Sequence, residues 1–120
     1  MNNKEEIIKA IANYDSYSDS YRKILTLLVE LAIDDVAHIT VIKLKGLTIP
    51  TLSREIIYQA LNQFQQDGLI EIIKKTRGKT ATIKGAILRQ NKFEQLRSFY
   101  IKELEVQKKY IKNKKEVDIN

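Results

Sequence analysis

The sequence predicts a mainly α protein with one small β-hairpin and a long C-terminal helix. Over most of the chain, apolar residues recur every three or four positions, as they do along the buried face of a helix. Two β-branched runs flank Gly78, which is typical of a hairpin. The 120 residues, of which 43% are hydrophobic, suffice for one domain with its own core.

The composition argues against several other classes of protein. The chain has no Cys, so it forms no disulfide and no thiolate metal site. It has no apolar run near the roughly 18 residues that cross a membrane, and its start, MNNKEEIIKAIANY, lacks the core of a signal peptide. With 1 Pro and 4 Gly there is no flexible linker and no second domain. We expect a cytoplasmic protein that does not contact membranes.

The charge is distributed unevenly along the chain. Residues 1–68 contain 7 Lys and Arg against 9 Asp and Glu, a net charge of −2. Residues 69–120 contain 14 against 6, a net charge of +8. A basic half favours a polyanionic partner such as nucleic acid. A solvated Lys-rich surface would produce the same charge, so the charge alone leaves both interpretations open.

Two helices are predicted at the start of the chain. Residues 3–14 have an apolar stripe, and Asn3 followed by Glu6 resembles a capping box. Residues 21–33 have apolar positions on more than one side, which predicts a helix at the centre of the core.

The next segment, residues 36–51, has two interpretations. Its sequence is VAHITVIKLKGLTIPT, in which residues 38–43 are β-branched and could form a short strand. Residues 41–47 could instead form a short helix. Pro50 cannot continue a regular helix through Ile49 and therefore marks a turn.

The stretch LSREIIYQALNQFQQDGLI predicts a helix over residues 54–67. Ser53 is a good N-cap and Gly68 a good C-cap. The apolar residues of this helix fall on one face. The other face carries an unusual number of Gln and Asn side chains, whereas surface helices usually carry Lys and Glu.

The following sequence, LIEIIKKTRGKTATIKG, predicts a basic hairpin. Its strands are residues 69–75 and 80–84, with Gly78 at the bend. One acidic residue, Glu71, is outnumbered by five basic residues, which are Lys74, Lys75, Arg77, Lys79 and Lys84.

Residues 88–115 predict a long helix with apolar side chains on two sides. The first side carries Phe93, Leu96, Tyr100, Leu104 and Ile111. The second side carries Phe99, Val106 and Tyr110. Because two apolar sides exceed what one docked helix needs, we expect a homodimer that forms through the first side. The alternative is a helix that folds back on its own core. We expect the basic tail from Lys112 onward to fray.

The order of these elements resembles the winged helix-turn-helix of DNA-binding proteins, in particular bacterial regulators of the gluconate-repressor type. In that family Ser-Arg opens the recognition helix, Ala-Leu lies at its middle, and an acidic residue with Gly-Leu-Ile leads into the wing. The corresponding residues here are Ser53-Arg54, Ala60-Leu61 and Asp67-Gly68-Leu69-Ile70. The resemblance covers roughly residues 21–86.

The resemblance implies a winged helix-turn-helix domain over residues 1–88, followed by the C-terminal helix of residues 89–120. The recognition helix is then about residues 53–67 and the wing about residues 69–85. One segment departs from the family, because Gly46 and Pro50 lie where a regular helix precedes the recognition helix. Either that helix is shortened to about residues 41–45, or the motif is irregular.

The amide-rich face suits base recognition in the major groove of DNA. Gln and Asn can pair with adenine and Arg with guanine, and an uncharged face is not repelled by phosphates. The candidates for base contacts are Arg54, Tyr58, Gln59 and Asn62, and Ser53 is a candidate for a phosphate contact. A solvated face would also accommodate Gln, which is a good helix former.

The candidates for backbone contacts on the hairpin are Lys74, Lys75, Arg77 and Lys79. Lys residues on an edge strand also prevent aggregation, which could explain Lys74 and Lys75. That explanation fits Arg77 and Lys79, at the tip of the hairpin, less well.

No catalytic constellation is apparent, and we expect neither an enzyme nor a cofactor. The one His, His38, lies in an apolar run and is expected to be structural, and without Cys it cannot assemble a zinc site. The segment GLTIPTLS lacks the Lys and the spacing of a phosphate-binding loop.

The sequence therefore predicts a small dimeric transcriptional regulator that binds a specific site on double-stranded DNA. One alternative is a plasmid or phage protein that binds repeated sites. It would act as a centromere-binding partition adaptor or as a replication or transfer accessory, and it would recruit a motor or replication protein. A further alternative is a winged-helix scaffold for protein contacts.

Overall fold

A computed structural model describes the backbone of residues 1–119 and the side chains of residues 1–113. Within them, the chain forms five helices and a three-stranded antiparallel sheet whose strand order is β1-β3-β2. The elements in chain order are α1 (Lys4–Ala12), α2 (Asp19–Leu31), β1 (Val36–Ala37), α3 (Val41–Leu47), α4 (Arg54–Gln66), β2 (Ile70–Arg77), β3 (Thr80–Leu88) and α5 (Gln90–Ile119). The predicted hairpin and long C-terminal helix are confirmed. The class is mixed α and β, because a third strand joins the hairpin.

The first two helices begin at positions different from those predicted. Asn3 has a left-handed backbone, with φ of 59°, and its side chain does not cap α1. It donates instead to Glu94 Oε1 on α5, at 3.1 Å, so the predicted capping box is wrong. α2 begins two residues early because Ser18 Oγ accepts a hydrogen bond from the backbone N–H of Tyr21.

The ambiguous segment contains a short strand and a short helix in succession. The helix over Val41–Leu47 is confirmed, and the strand predicted over residues 38–43 is wrong. The strand forms earlier, because positive φ angles at Asp34 and Asp35 reverse the chain in a tight turn and bring Val36 opposite Ile87 of β3. His38 follows this strand and is exposed, so it is not the structural residue that we expected.

Thr48 organises the turn between α3 and α4. Its side chain is buried, and its Oγ1 donates to the carbonyl of Lys45 at 2.8 Å and accepts from the N–H of Leu52 at 2.9 Å. Gly46 lies inside α3 without interrupting it, and the Ile49–Pro50 peptide bond is cis. The segment that departs from the family pattern therefore has a short regular helix and an ordered connection.

The hairpin is longer than predicted and contains a bulge. Its strands pair from Ile70 opposite Leu88 to Arg77 opposite Thr80, and Gly78, with φ of 61°, opens the two-residue turn. The register shifts after Ile73, which leaves Lys84 as the extra residue of β3. The bulge places Gly85 against β1, where a Cβ atom would lie 2.3 Å from the carbonyl oxygen of Ala37.

The first third of α5 belongs to the core of the domain. Phe93 is fully buried and Leu96 packs against the core, so the prediction that Phe93 contributes to a dimer contact is wrong. Arg97 Nε forms an ion pair with Glu6 of α1 at 2.7 Å, and Leu104 is the last half-buried residue of α5 up to residue 113. The backbone stays helical to Ile119, so the fraying that we expected from Lys112 is not found.

None of the helices within residues 1–119 combines the length and the apolar character that crossing a lipid bilayer requires.

Candidate nucleic-acid interface

α4 has one buried face and one fully exposed row of side chains. Ile57, Ala60, Leu61 and Phe64 anchor the buried face in the core. The exposed row consists of Glu55, Gln59, Asn62 and Gln66, which are spaced so that they project from one line opposite the core. We call these four residues the outer row of α4.

The two ends of α4 are held by capping interactions. Ser53 Oγ accepts from the N–H of Ile56 at 3.3 Å, so the predicted N-cap is confirmed. Its hydroxyl hydrogen is still able to donate to a phosphate. At the other end Asp67 is the C-cap, and Gly68 follows with φ of 77°, a left-handed conformation that suits Gly.

An aromatic cluster supports the C-terminal end of α4. The rings of Tyr17 and Tyr21 lie 5.2 and 5.9 Å from the ring of Phe64. The Tyr17 hydroxyl donates a short hydrogen bond to the Asp67 carboxylate. Burial and the neighbouring Asp67 carboxylate raise the pKa of Tyr17 above its ordinary value, so the hydroxyl remains a donor. The sequence analysis missed this contact, which joins residues 50 positions apart.

Two of the amides on α4 have structural roles. Gln65 Oε1 accepts from the N–H of Ile72 at 2.8 Å and ties α4 to the outer edge of β2. Gln63 Nε2 donates to Asp67 Oδ1 at 3.0 Å. Within residues 1–113, the side chains of Gln59, Asn62 and Gln66 make no hydrogen bond. Two of the five amides on α4 therefore have a structural partner, and the other three are exposed and available to an external one.

The flank of α4 that faces β2 carries the other two candidates for base contacts. Arg54 and Tyr58 lie on the same side of the helix as Gln65, whose bond to β2 identifies this flank. Arg54 is exposed, and 45% of the Tyr58 side chain is accessible. Of the residues that we predicted to contact bases, two lie in the outer row and two lie between that row and the hairpin.

The hairpin carries a positive charge that its own residues do not neutralise. Its five basic side chains are all exposed, and none forms an ion pair within the part of the chain whose side chains are described. Its single acid, Glu71, is already paired with Arg89 Nη2 at 2.6 Å. The Coulomb field of the hairpin is therefore available to an external anion.

The five basic residues do not share one face of the hairpin. Lys74 lies opposite Ile83, which is buried, so Lys74 is on the face that covers the core. Lys75 and Arg77 lie opposite Thr82 and Thr80 on the other face. Lys79 is in the turn and Lys84 is in the bulge. Because β2 is an edge strand, protection against aggregation remains a sufficient reason for Lys74 and Lys75.

Comparison with known proteins does not assign the chain to a family. No protein-family model matches it, and no curated protein sequence is similar to it. Among residues 1–113, no group of three or more His, Asp or Glu side chains is placed to hold a metal ion.

Proposed function

We propose that this protein binds a specific site on double-stranded DNA and acts as a small transcriptional regulator. In this proposal α3, the Thr48 turn and α4 form a helix-turn-helix, and the β2–β3 hairpin is its wing. The proposal rests on one combination: α4 presents an exposed outer row able to form hydrogen bonds, and the adjacent hairpin carries cations that have no ion-pair partner among residues 1–113.

The outer row has the chemistry that the major groove requires. An α-helix fits this groove, and the amides of Gln59 and Asn62 can each pair with the N6 and N7 atoms of adenine. The two residues are three apart and so are separated by about 4.5 Å along the helix axis, which puts both amides on the same face. Glu55 can accept from the N4 amine of cytosine. Such contacts would make binding depend on the base sequence.

The hairpin supplies affinity that does not depend on sequence. Its cations can approach phosphates without first breaking an intramolecular ion pair, and neutralised phosphates release condensed counterions. Gln65 fixes the root of the hairpin beside α4, so both elements can contact one duplex together. Arg77 and Lys79, which flank the Gly78 bend, are the residues most accessible to a backbone or a minor groove.

A mobility-shift titration against a pool of duplex fragments tests the proposal. We expect Gln59→Ala to reduce the preference among sequences, with a cost of about 1–3 kcal/mol on the best site. We expect Arg77→Ala to weaken binding to every sequence alike. If neither substitution changes binding, the assignment of recognition helix and wing is wrong even where DNA binding persists.

A second candidate function is a scaffold for protein contacts. It is favoured by three exposed apolar side chains on and after α3, namely Ile42, Leu47 and Ile49, with exposures of 64, 47 and 85%. Leu47 and Ile49 line a hollow of about 360 Å³ beside α2. A folded chain that binds no duplex at low salt would support this function in place of DNA binding.

A further inference from the structure

The C-terminal part of α5 is a helix that its own domain does not support. Beyond Leu104, every described side chain of α5 is exposed. The helix nevertheless continues from Glu105 to Ile119, which is about four turns. An isolated helix of this length is only marginally stable in water. Its stability therefore depends on a surface that packs against it.

One side of α5 is suited to such packing. Phe99, Val106 and Tyr110 are 59, 66 and 65% exposed, and with Glu103 they are spaced by four, three and four residues. This is the spacing of the contact positions in a coiled coil. Leu96 and Asn113 extend the same line at its two ends. We call the line from Leu96 to Asn113 the contact stripe of α5, and it is about 26 Å long.

The two halves of the contact stripe differ in their surroundings. Phe99 stands beside a hollow of about 420 Å³ whose walls include Tyr14, Leu69 and Leu96. A second hollow beside Phe99 is lined by other residues of α5. Val106 and Tyr110 instead lie on the half of α5 beyond Leu104 and are 66 and 65% exposed. The half of the contact stripe near Phe99 therefore has hollows beside it, and the half beyond Leu104 has exposed apolar side chains that could pack into such hollows.

We propose that a second copy of this chain covers the contact stripe, with the two α5 helices antiparallel. In this arrangement the unsupported half of each helix lies along the hollows of the other copy. Phe99 of each copy packs on Tyr110 of the other, and Glu103 lies beside Val106 of the other. The interface is self-complementary, as two-fold symmetry requires.

The charge of Glu103 favours the antiparallel orientation. Parallel helices would place Glu103 of one copy directly against Glu103 of the other in the centre of the seam, where two like charges are desolvated together. Antiparallel helices shift these carboxylates apart by three residues, about 4.5 Å along the helix axis, so they no longer face each other directly. They also bring Lys109 of the second copy within one turn of Glu103, so each carboxylate gains an opposite charge.

This surface differs from the one that the sequence predicted. Phe93 is buried in its own domain, and Tyr100 and Leu104 are half-buried against it. Ile111 is 53% exposed but points about 100° away from Tyr110 around the helix axis. The predicted set is therefore mostly the face by which α5 docks on its own domain. Ile111 becomes a matched control, because it is an exposed apolar residue of the same helix outside the stripe.

Sedimentation of the full chain over a micromolar concentration range tests the surface. We expect a dimer whose dissociation constant rises at least about a hundredfold in Val106→Glu, because each dimer would bury two new carboxylates. Ile111→Glu should leave the dissociation constant within about threefold of that of the unchanged chain. A monomer at all concentrations, or a dimer that Ile111→Glu disrupts and Val106→Glu does not, would overturn the proposal.

Cysteine cross-linking tests the orientation, since the natural chain has no Cys. We expect a mixture of Glu103→Cys chains and Val106→Cys chains to form a covalent dimer between unlike chains under mild oxidation. Efficient cross-linking within the Glu103→Cys sample alone would show parallel helices. Neither experiment involves nucleic acid, so the pairing can fail while DNA binding stands, and DNA binding can fail while the pairing stands.

Discussion

Gly85 permits a contact on which the shape of the hairpin depends. It lies in β3 directly after the bulge, and a Cβ atom there would be 2.3 Å from the carbonyl oxygen of Ala37 in β1. Carbon and oxygen atoms that are not bonded normally stay more than 3 Å apart. The substitution Gly85→Ala therefore requires β1 or β3 to move by close to 1 Å. Gly85 also has a φ of 158°, a backbone conformation that residues with a side chain rarely adopt.

The expected cost of Gly85→Ala is the sum of the steric overlap with Ala37 and the unfavourable backbone conformation. An overpacked methyl group typically costs about 1–3 kcal/mol, and a backbone conformation reserved for Gly costs about 1–3 kcal/mol more. A loss of about 2–6 kcal/mol is a large part of the roughly 5–15 kcal/mol that stabilises a typical domain. With a urea dependence of about 1.5 kcal/mol per molar, the unfolding midpoint should fall by more than about 1 M.

Gly46→Ala is the matched control for this measurement. The chemical change is the same, but Gly46 lies in α3 and a Cβ atom there would have no neighbour within 4 Å. Ala is the better helix former, so we expect a gain of about 0.5–1 kcal/mol and a higher midpoint. Urea unfolding followed by circular dichroism measures both variants. If Gly85→Ala keeps the midpoint of the unchanged chain to within about 0.3 M, the close packing of β1 on β3 is refuted.

Three other predictions concern the turn, the aromatic cluster and the hairpin. Thr48→Val should cost about 1–3 kcal/mol in thermal unfolding, because it leaves the backbone N–H of Leu52 without its acceptor and removes one of the two hydrogen bonds to the Lys45 carbonyl; an unchanged melting temperature would contradict this role. Tyr17→Phe should cost about 1–2 kcal/mol near pH 7, because Asp67 Oδ2 loses its donor while Gln63 still donates to Oδ1. Because the pKa of Tyr17 is raised in the folded chain, this stabilisation is complete below about pH 10 and declines as the pH rises above it. In urea unfolding, the difference in stability between the unchanged chain and Tyr17→Phe should therefore shrink above about pH 10. A difference that stays constant with pH would argue against the hydrogen bond. For DNA binding, Arg77→Ala should reduce the slope of log affinity against log salt by about 0.9, whereas Lys9→Ala, an exposed cation on α1, should leave it unchanged; equal effects would point to diffuse attraction.

The parts of the candidate interface that the sequence predicted are those with local signals. The bounds of α4 follow from a cap at Ser53, apolar residues at helical spacing and a Gly after the last turn. The bend of the hairpin follows from Gly78 between two β-branched runs. Each signal acts over a few residues, so it can be interpreted without knowing the rest of the structure. The amide-rich polar face of α4 was predicted for the same reason, because the helical period alone decides which residues share a face.

The parts that sequence analysis missed depend on distant neighbours. Nothing near Gln65 indicates that its amide will accept from β2 rather than face solvent. Asn3 looks like a cap, but the left-handed backbone directs its amide to α5. Nothing in the sequence around Gly85 indicates that β1 packs directly against it. In each case the deciding partner lies elsewhere in the fold.

The sequence by itself determined where α4 and the hairpin lie, which side of α4 is polar, and that the second half of the chain is basic. These properties depend on residue type and short-range periodicity. Only the tertiary structure decided which amides remain available to a partner and which cations have no counter-ion. It also decided which side of α5 is occupied by its own domain, because periodicity can place Phe93 and Phe99 on two sides of a helix but cannot say which side the core will cover. That choice is made by packing, through contacts among α1, α5 and the sheet that no short stretch of sequence contains.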